Sequence, residues 1–136
     1  MTVVLADLAS KAVARHWLVR HEWHWEFFTL HVVHNTGASF SLWSGHGWGL
    51  VIVTASVTAL VALWASRVAP GAPALAVGLL LGGGVGNTVD RVVAPGHGVT
   101  DVLALGSWFV CNLADVAVSA SVAIGVVLTL RGKGWR

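Results

Sequence analysis

Only six acidic residues occur in the 136-residue chain, and four of them, Asp7, Asp90, Asp101 and Asp115, lie within or at the ends of apolar segments. On insertion scales an aspartate at the centre of a membrane helix costs about 2.5–3.5 kcal/mol, so such residues pair, line a polar cavity or do chemistry. Asp90 has cations available in Arg91 beside it or in Lys11 and Arg15, and reads as a structural ion pair. Asp101 and Asp115 have no adjacent cation. Asp115 closes the run Asn112-Leu113-Ala114-Asp115, whose spacing puts both polar side chains on one helical face where an apolar run begins. Asn112 as a cap leaves Asp115 in the first helical turn, near the positive helix end. Capping and catalysis are compatible there, because a helix start holds Asp115 ionised while a nearby second carboxylate keeps a proton. Two carboxylates sharing a proton supply a base and an acid, the arrangement with which aspartic proteases activate water and protonate a leaving amine. Asp101, in Val99-Thr100-Asp101-Val102-Leu103 on an outer loop, is the natural second member.

Other polar residues group around this pair. Asn87 and Arg91 stand four apart on one helical face, and with Asn35 from an outer loop they could orient carboxylates or a substrate carbonyl. The run Gly82-Gly83-Gly84-Val85-Gly86 permits either close helix packing or backbone approach to a ligand. His21, His24, His31 and His34, with Glu22 and Glu26, raise a zinc hypothesis. No HExxH helix or Cys/His cluster accompanies them, so a metal is not expected. The single cysteine, Cys111, excludes an intramolecular disulfide and a four-thiolate metal site, and reads as a buried structural thiol.

The elements that must position these residues are membrane helices. Of the chain, 56% is hydrophobic and 10% charged, against about 25% charged in ordinary soluble domains. No charged residue lies between Glu26 and Arg67, between Arg67 and Asp90, or between Asp115 and Arg131. Spans are therefore predicted at about 48–66, 72–90 and 108–130, near the roughly 20 residues a bilayer core requires. The segment at about 2–19 carries Asp7, Lys11 and Arg15 at i, i+4 and i+8, so the three share one face and make a fourth, polar-faced span. A cleavable signal peptide competes with that reading but lacks a basic n-region and a small-residue cleavage site. With six residues before Asp7, either this first span is short or the chain lacks its natural start.

Arg67 follows the second span, and Arg131, Lys133 and Arg136 follow the last, which predicts cytoplasmic N- and C-termini. Loops at about 20–47 and 91–107 then face outward. Pro70, Gly71 and Pro73 mark an inner turn, and Pro95-Gly96-His97-Gly98 an outer one. Phe27 to Phe40 reads as strand material outside the bilayer. The eight tryptophans fall near span ends and read as an interfacial belt. A net charge of +2 from dispersed cations offers no phosphate-binding stripe, so nucleic acid is not an expected partner. The expectation is an all-α membrane protein: one domain over 1–136, a four-transmembrane-helix bundle with a small extracytoplasmic β element.

In order along the chain stand Asp7-Leu8-Ala9-Ser10-Lys11, Asn35-Thr36-Gly37-Ala38-Ser39-Phe40-Ser41, Gly82 to Gly86 with Asn87-Thr88-Val89-Asp90-Arg91, Val99-Thr100-Asp101, and Asn112-Leu113-Ala114-Asp115. This set resembles lipoprotein signal peptidase, the bacterial signal peptidase II family of intramembrane aspartic peptidases, over most of the chain. The resemblance implies that Asp101 and Asp115 are a catalytic dyad, with Asp7, Lys11, Asn35, Gly83, Asn87, Arg91 and Asn112 shaping the site. It also implies cleavage of diacylglyceryl-modified prolipoproteins just before the lipid-bearing cysteine, without metal or cofactor, by a monomer in the bacterial inner membrane with its site toward the outer face and in contact with membrane lipid. The interval from Asp101 to Asn112 is shorter than the family's usual one and that from Arg91 to Asp101 slightly longer, so the outer loop carrying Asp101 is expected to be rebuilt. Two other functions fit less of the sequence. One is a catalytically impaired homologue that binds lipidated signal peptides. The other is a small proton-coupled carrier, against which spans two and four lack a polar stripe.

Overall fold

A computed structural model describes residues 1–18, 22–36, 47–93, 98–105 and 109–135. Expectations resting on His21, Gly37 to Ser41, Trp43, Pro95 to His97, Trp108 and Arg136 lie outside the described residues. Four helices form: α1 (Thr2–Trp17), α2 (Gly47–Ala65), α3 (Ala72–Val93) and α4 (Leu113–Leu130). Stretches of α2, α3 and α4 (Trp48–Ala65, Ala72–Val93 and Leu113–Leu130) are long and apolar enough to cross a membrane. On α2 only 11% of that stretch is buried inside the protein, and Ile52, Leu60 and Leu63 point outward. So continuous an apolar exterior has hydrocarbon as its natural solvent.

The last span begins at Leu113, not at 108, because Phe109–Cys111 is extended and Asn112 caps the helix. The first segment forms a helix whose buried residues are Asp7, Lys11 and Ala14, so its polar face turns into the bundle as the i, i+4 spacing requires. At the centre stands α3, which packs against α1, α2 and α4. Its glycines make this possible. A Cβ on Gly82 would meet Val3 of α1 at 2.6 Å, and one on Gly83 would meet the backbone oxygen of Ala114 at 2.5 Å. Close packing is thus the role these two glycines take. Between α2 and α3 the chain turns through Pro70 and Gly71, the latter at φ +93, as the Pro/Gly punctuation predicts.

Above the helices lies a four-stranded antiparallel sheet in the order β1 (Trp23–Trp25), β2 (Phe28–Asn35), β3 (Val99–Leu105), β4 (Phe109–Cys111). The strand material expected across Phe27 to Phe40 is β2, ending at Asn35. Asp101 does not sit on a loop: it lies within β3, opposite Val33 of β2. The β-branched Val99, Thr100 and Val102 favour extended backbone, and pairing with β2 and β4 on both sides fixes it. At Gly98, φ +74, a Cβ would run into the backbone oxygen of Asn35, so the glycine lets the end of β2 close on the start of β3.

Candidate active site

The start of α4 carries a reciprocal cap. Asn112 Oδ1 accepts from the Asp115 amide at 2.9 Å, and Asp115 Oδ2 accepts from the Asn112 amide at 3.2 Å. The other oxygen of Asp115 accepts from Asn87 Nδ2 at 2.8 Å. That bond follows from the glycine packing, because Gly83 brings α3 against Ala114 one turn before Asn87 and puts the amide beside the α4 terminus. Asn112 Nδ2 donates to Asp101 Oδ1 at 2.7 Å and to Asn87 Oδ1 at 3.1 Å. Asn35 reaches the same carboxylate by strand register. Asn35 pairs with Val99 and Val33 with Asp101, so Asn35 and Asp101 are diagonal neighbours on one sheet face, and Asn35 Nδ2 donates to Asp101 Oδ2 at 3.3 Å. Asp101 and Asp115 are therefore joined through the amides of Asn87 and Asn112.

Asp101 is 1% exposed. Burial pushes its carboxyl above the ordinary aspartate range, and the charge of Asp115 pushes the same way. The Asn112 and Asn35 donors and the Lys11 ammonium offset part of that rise. Asp101 thus retains its proton beyond the pH at which an exposed aspartate loses it. The buried Cys111 thiol is raised by burial first and then by Asp115 and Asp101, which leaves it unreactive.

Behind the two carboxylates lies a buried ionic group that fastens their supports. Lys11, fully buried, stands 2.7 Å from Asp7 and 3.0 Å from Asp90, and its ammonium donates to Asn87 Oδ1 at 3.2 Å. Asp7 Oδ1 accepts from the Ala114 amide at 2.9 Å and so ties α1 to the first turn of α4. Asp90 Oδ2 accepts from the Thr100 amide at 3.1 Å, and Arg15 donates to Thr100 Oγ1 at 3.0 Å while lying 3.7 Å from Asp90. Asp90 is paired by Lys11 and Arg15, as the sequence allows. It also holds β3 one residue before Asp101, a role the sequence reading missed. The available signal was its i, i+3 relation to Asn87.

Asp101, Asp115, Asn35, Asn87 and Arg91 line one cavity of about 720 Å³. The guanidinium of Arg91 lies in the field of all three carboxylates, Asp115, Asp101 and Asp90. Away from this polar end the walls are apolar: Val57 and Val61 of α2, Leu80 of α3 and Val118 of α4. Helix α2 rests on α3 and barely touches α4, so the cavity is a slot between α2 and α4. Asn112 adjoins the cavity through Asp101, whereas Asp7, Lys11 and Gly83 act from behind it. Such a slot suits a long apolar ligand whose reactive group meets the carboxylates. Among the described residues no histidine lines this cavity. His24 meets Thr29 at 3.2 Å and Glu22 at 3.3 Å on the surface, and among the described residues no three His, Cys, Asp or Glu side chains converge as a metal site.

A family model described as signal peptidase (SPase) II matches residues 1–131. The chain belongs to the signal peptidase II family. It is 41% identical over 116 residues to a lipoprotein signal peptidase of Leifsonia xyli subsp. xyli, an alignment covering 80% of this chain and 53% of that one. Similar proteins of the same description occur in Rhodococcus jostii (39% over 112 residues, 79% and 56% covered) and Mycobacterium tuberculosis (37% over 106 residues, 74% and 52% covered). The chain spans about half the length of these curated relatives. Two solved structures described as a bacterial membrane enzyme share its fold. One has a TM-score of 0.85 at 22% identity, covering 96% of this chain and 84% of that one, and the other has 0.81 at 22%, covering 95% and 88%. Of the ordered motifs, the described residues Asn35, Asn87, Asp101, Asn112 and Asp115 meet where the end of α3, the start of α4 and the β2–β3 pair adjoin, with Asp7 and Lys11 of α1 behind them.

Proposed function

We propose that the chain is a prolipoprotein signal peptidase that uses Asp101 and Asp115 as its catalytic dyad. The observation that carries this reading is the pair of amide-linked carboxylates at the polar end of an apolar slot. Asp115, with the α4 amide dipoles and two donors on its oxygens, is the base, and Asp101, kept protonated by burial, is the acid. Asp115 takes a proton from water as the water oxygen bonds to the carbonyl carbon preceding the lipid-bearing cysteine. Asp101 gives its proton to the carbonyl oxygen, which completes a gem-diol. Collapse then breaks the C–N bond, with the proton on Asp115 passing to the leaving nitrogen and a hydroxyl proton returning to Asp101. Asn35, Asn87, Asn112 and Arg91 orient the carboxylates and the substrate carbonyl. Asp7, Lys11 and Gly83 hold α1, α3 and α4 in register.

The one peptidase domain lies in the bacterial inner membrane as a monomer, with four spans, the termini in the cytoplasm and the sheet outside. Arg67, Arg131 and Lys133 at the opposite end from the dyad support that orientation. The slot between α2 and α4 then admits a signal-peptide helix and its lipid sideways, while water reaches the dyad from outside. Purified protein is expected to cleave a diacylglyceryl-modified lipobox peptide. Asp101→Asn and Asp115→Asn are each expected to lower kcat by about 10²–10⁴, the span of general acid–base catalysis, with unchanged melting temperature. Full activity in either variant removes the dyad mechanism, and binding without turnover by the unaltered protein favours an impaired homologue.

A further inference from the structure

The innermost residues that line the slot are Val61 of α2, Leu80 of α3 and Ser119 of α4, and beyond them, in line with it, stands a tryptophan that the sequence presents as one more interfacial ring. On α2 the cavity-lining residues Thr54, Val57, Thr58 and Val61 follow one helical stripe, and the next position on it is Trp64. On α4 the stripe begun by Asp115, Val118 and Ser119 continues to Gly125. The ring of Trp135, from the segment after α4, fills the space between these two positions. Its centroid is 5.7 Å from that of Trp64, and a Cβ on Gly125 would stand 3.2 Å from its Cζ2 and Cη2 atoms. The Trp135 carbonyl accepts from the Ala69 amide at 2.9 Å, which fixes the segment to the α2–α3 turn. The two helices that flank the slot and otherwise barely touch are thus bridged, beyond the lining residues Val61 and Ser119, by one side chain.

Resting on the peptidase reading above, we infer that Trp135 is a specificity-determining residue that sets the length of apolar signal-peptide segment the slot accepts. At 1.5 Å per residue, Gly125 lies about 15 Å along α4 from Asp115, the length of roughly ten helical residues. Signal-peptide apolar regions run from about 7 to 15 residues, so this length falls inside the range over which substrates differ. A segment that fits ends above the tryptophan pair. A longer one must bend out between α2 and α4 before its end and forfeits contact with both helices.

The test uses lipidated peptides with apolar segments of about 7, 10, 13 and 16 residues, a series that covers the natural range. Binding is read as Kd on the Asp115→Asn protein and turnover as kcat/KM on the active protein. The expected result is a preference for the shorter pair of about tenfold, the scale on which an apolar pocket discriminates by size. Trp135→Ala should abolish that preference. So should Gly125→Leu, which retains Trp135 but occupies its seat, whereas Trp135→Phe should keep most of it. The inference is overturned by a flat length profile in the unaltered protein, or by one that Trp135→Ala and Gly125→Leu both leave in place. Length-dependent binding without any turnover would instead remove the peptidase reading and leave the length limit standing.

Discussion

Asn112 serves three groups with one side chain: its oxygen caps α4, and its nitrogen donates to Asp101 and Asn87. Because the donation to Asp101 favours the ionised carboxylate, its loss must raise that group further. The proposed mechanism needs Asp101 protonated. Activity should therefore persist above the ordinary aspartate range and fall as pH rises through the elevated pKa of Asp101. In Asn112→Ala the alkaline limb of kcat/KM should move to still higher pH, with the maximum lowered and about 1 kcal/mol of stability lost with the cap. A limb that stays in place or moves down assigns the proton elsewhere. Asn112 and Asp115 were legible in the sequence because a capping box is a local i, i+3 pattern. Asn35 could be grouped with the carboxylates, but its pairing with Asp101 in particular could not be read, since it depends on the register of two strands distant in sequence.

The elements around the site divide in the same way. Charge-free intervals marked α2 and α3 closely, because length and hydropathy alone set a membrane span. Strand β3 was read as loop, since its identity comes from pairing on both edges, and α4 was begun too early because Phe109 to Cys111 is as apolar as the span that follows. Glycines carry what side chains cannot. Gly83→Ala would drive a methyl group against the Ala114 carbonyl and part α3 from α4. It should lower the melting temperature in detergent and slow cleavage by breaking the Asn87–Asp115 contact; unchanged values for both would show that the helices can separate without disturbing the site. The ionic group makes a sharper claim. Lys11→Met leaves Asp7 and Asp90 buried without their shared cation and should cost about 3–5 kcal/mol. Replacing all three by neutral residues of similar size should cost less than that single change. Equal losses in the two proteins, followed by thermal unfolding, would mean the charges do not act together.

For the whole molecule, Arg67, Arg131 and Lys133 at one end and the sheet at the other predict opposite exposure across the bilayer. A cysteine at Glu22 should react with an impermeant maleimide in intact cells, and one at Lys133 only after the membrane is opened; the reverse pattern inverts the protein. The buried ionic group carries a further consequence, for synthesis. Its two α1 members, Asp7 and Lys11, leave the ribosome well before α3 supplies Asp90. Until then Lys11 on the charged face of α1 has Asp7 beside it but not Asp90. Exposing that face to lipid is costly until its neighbours arrive. A nascent chain halted after α2 should leave α1 extractable by carbonate, and one halted after α3 should hold it firmly, so that the third helix completes the insertion of the first.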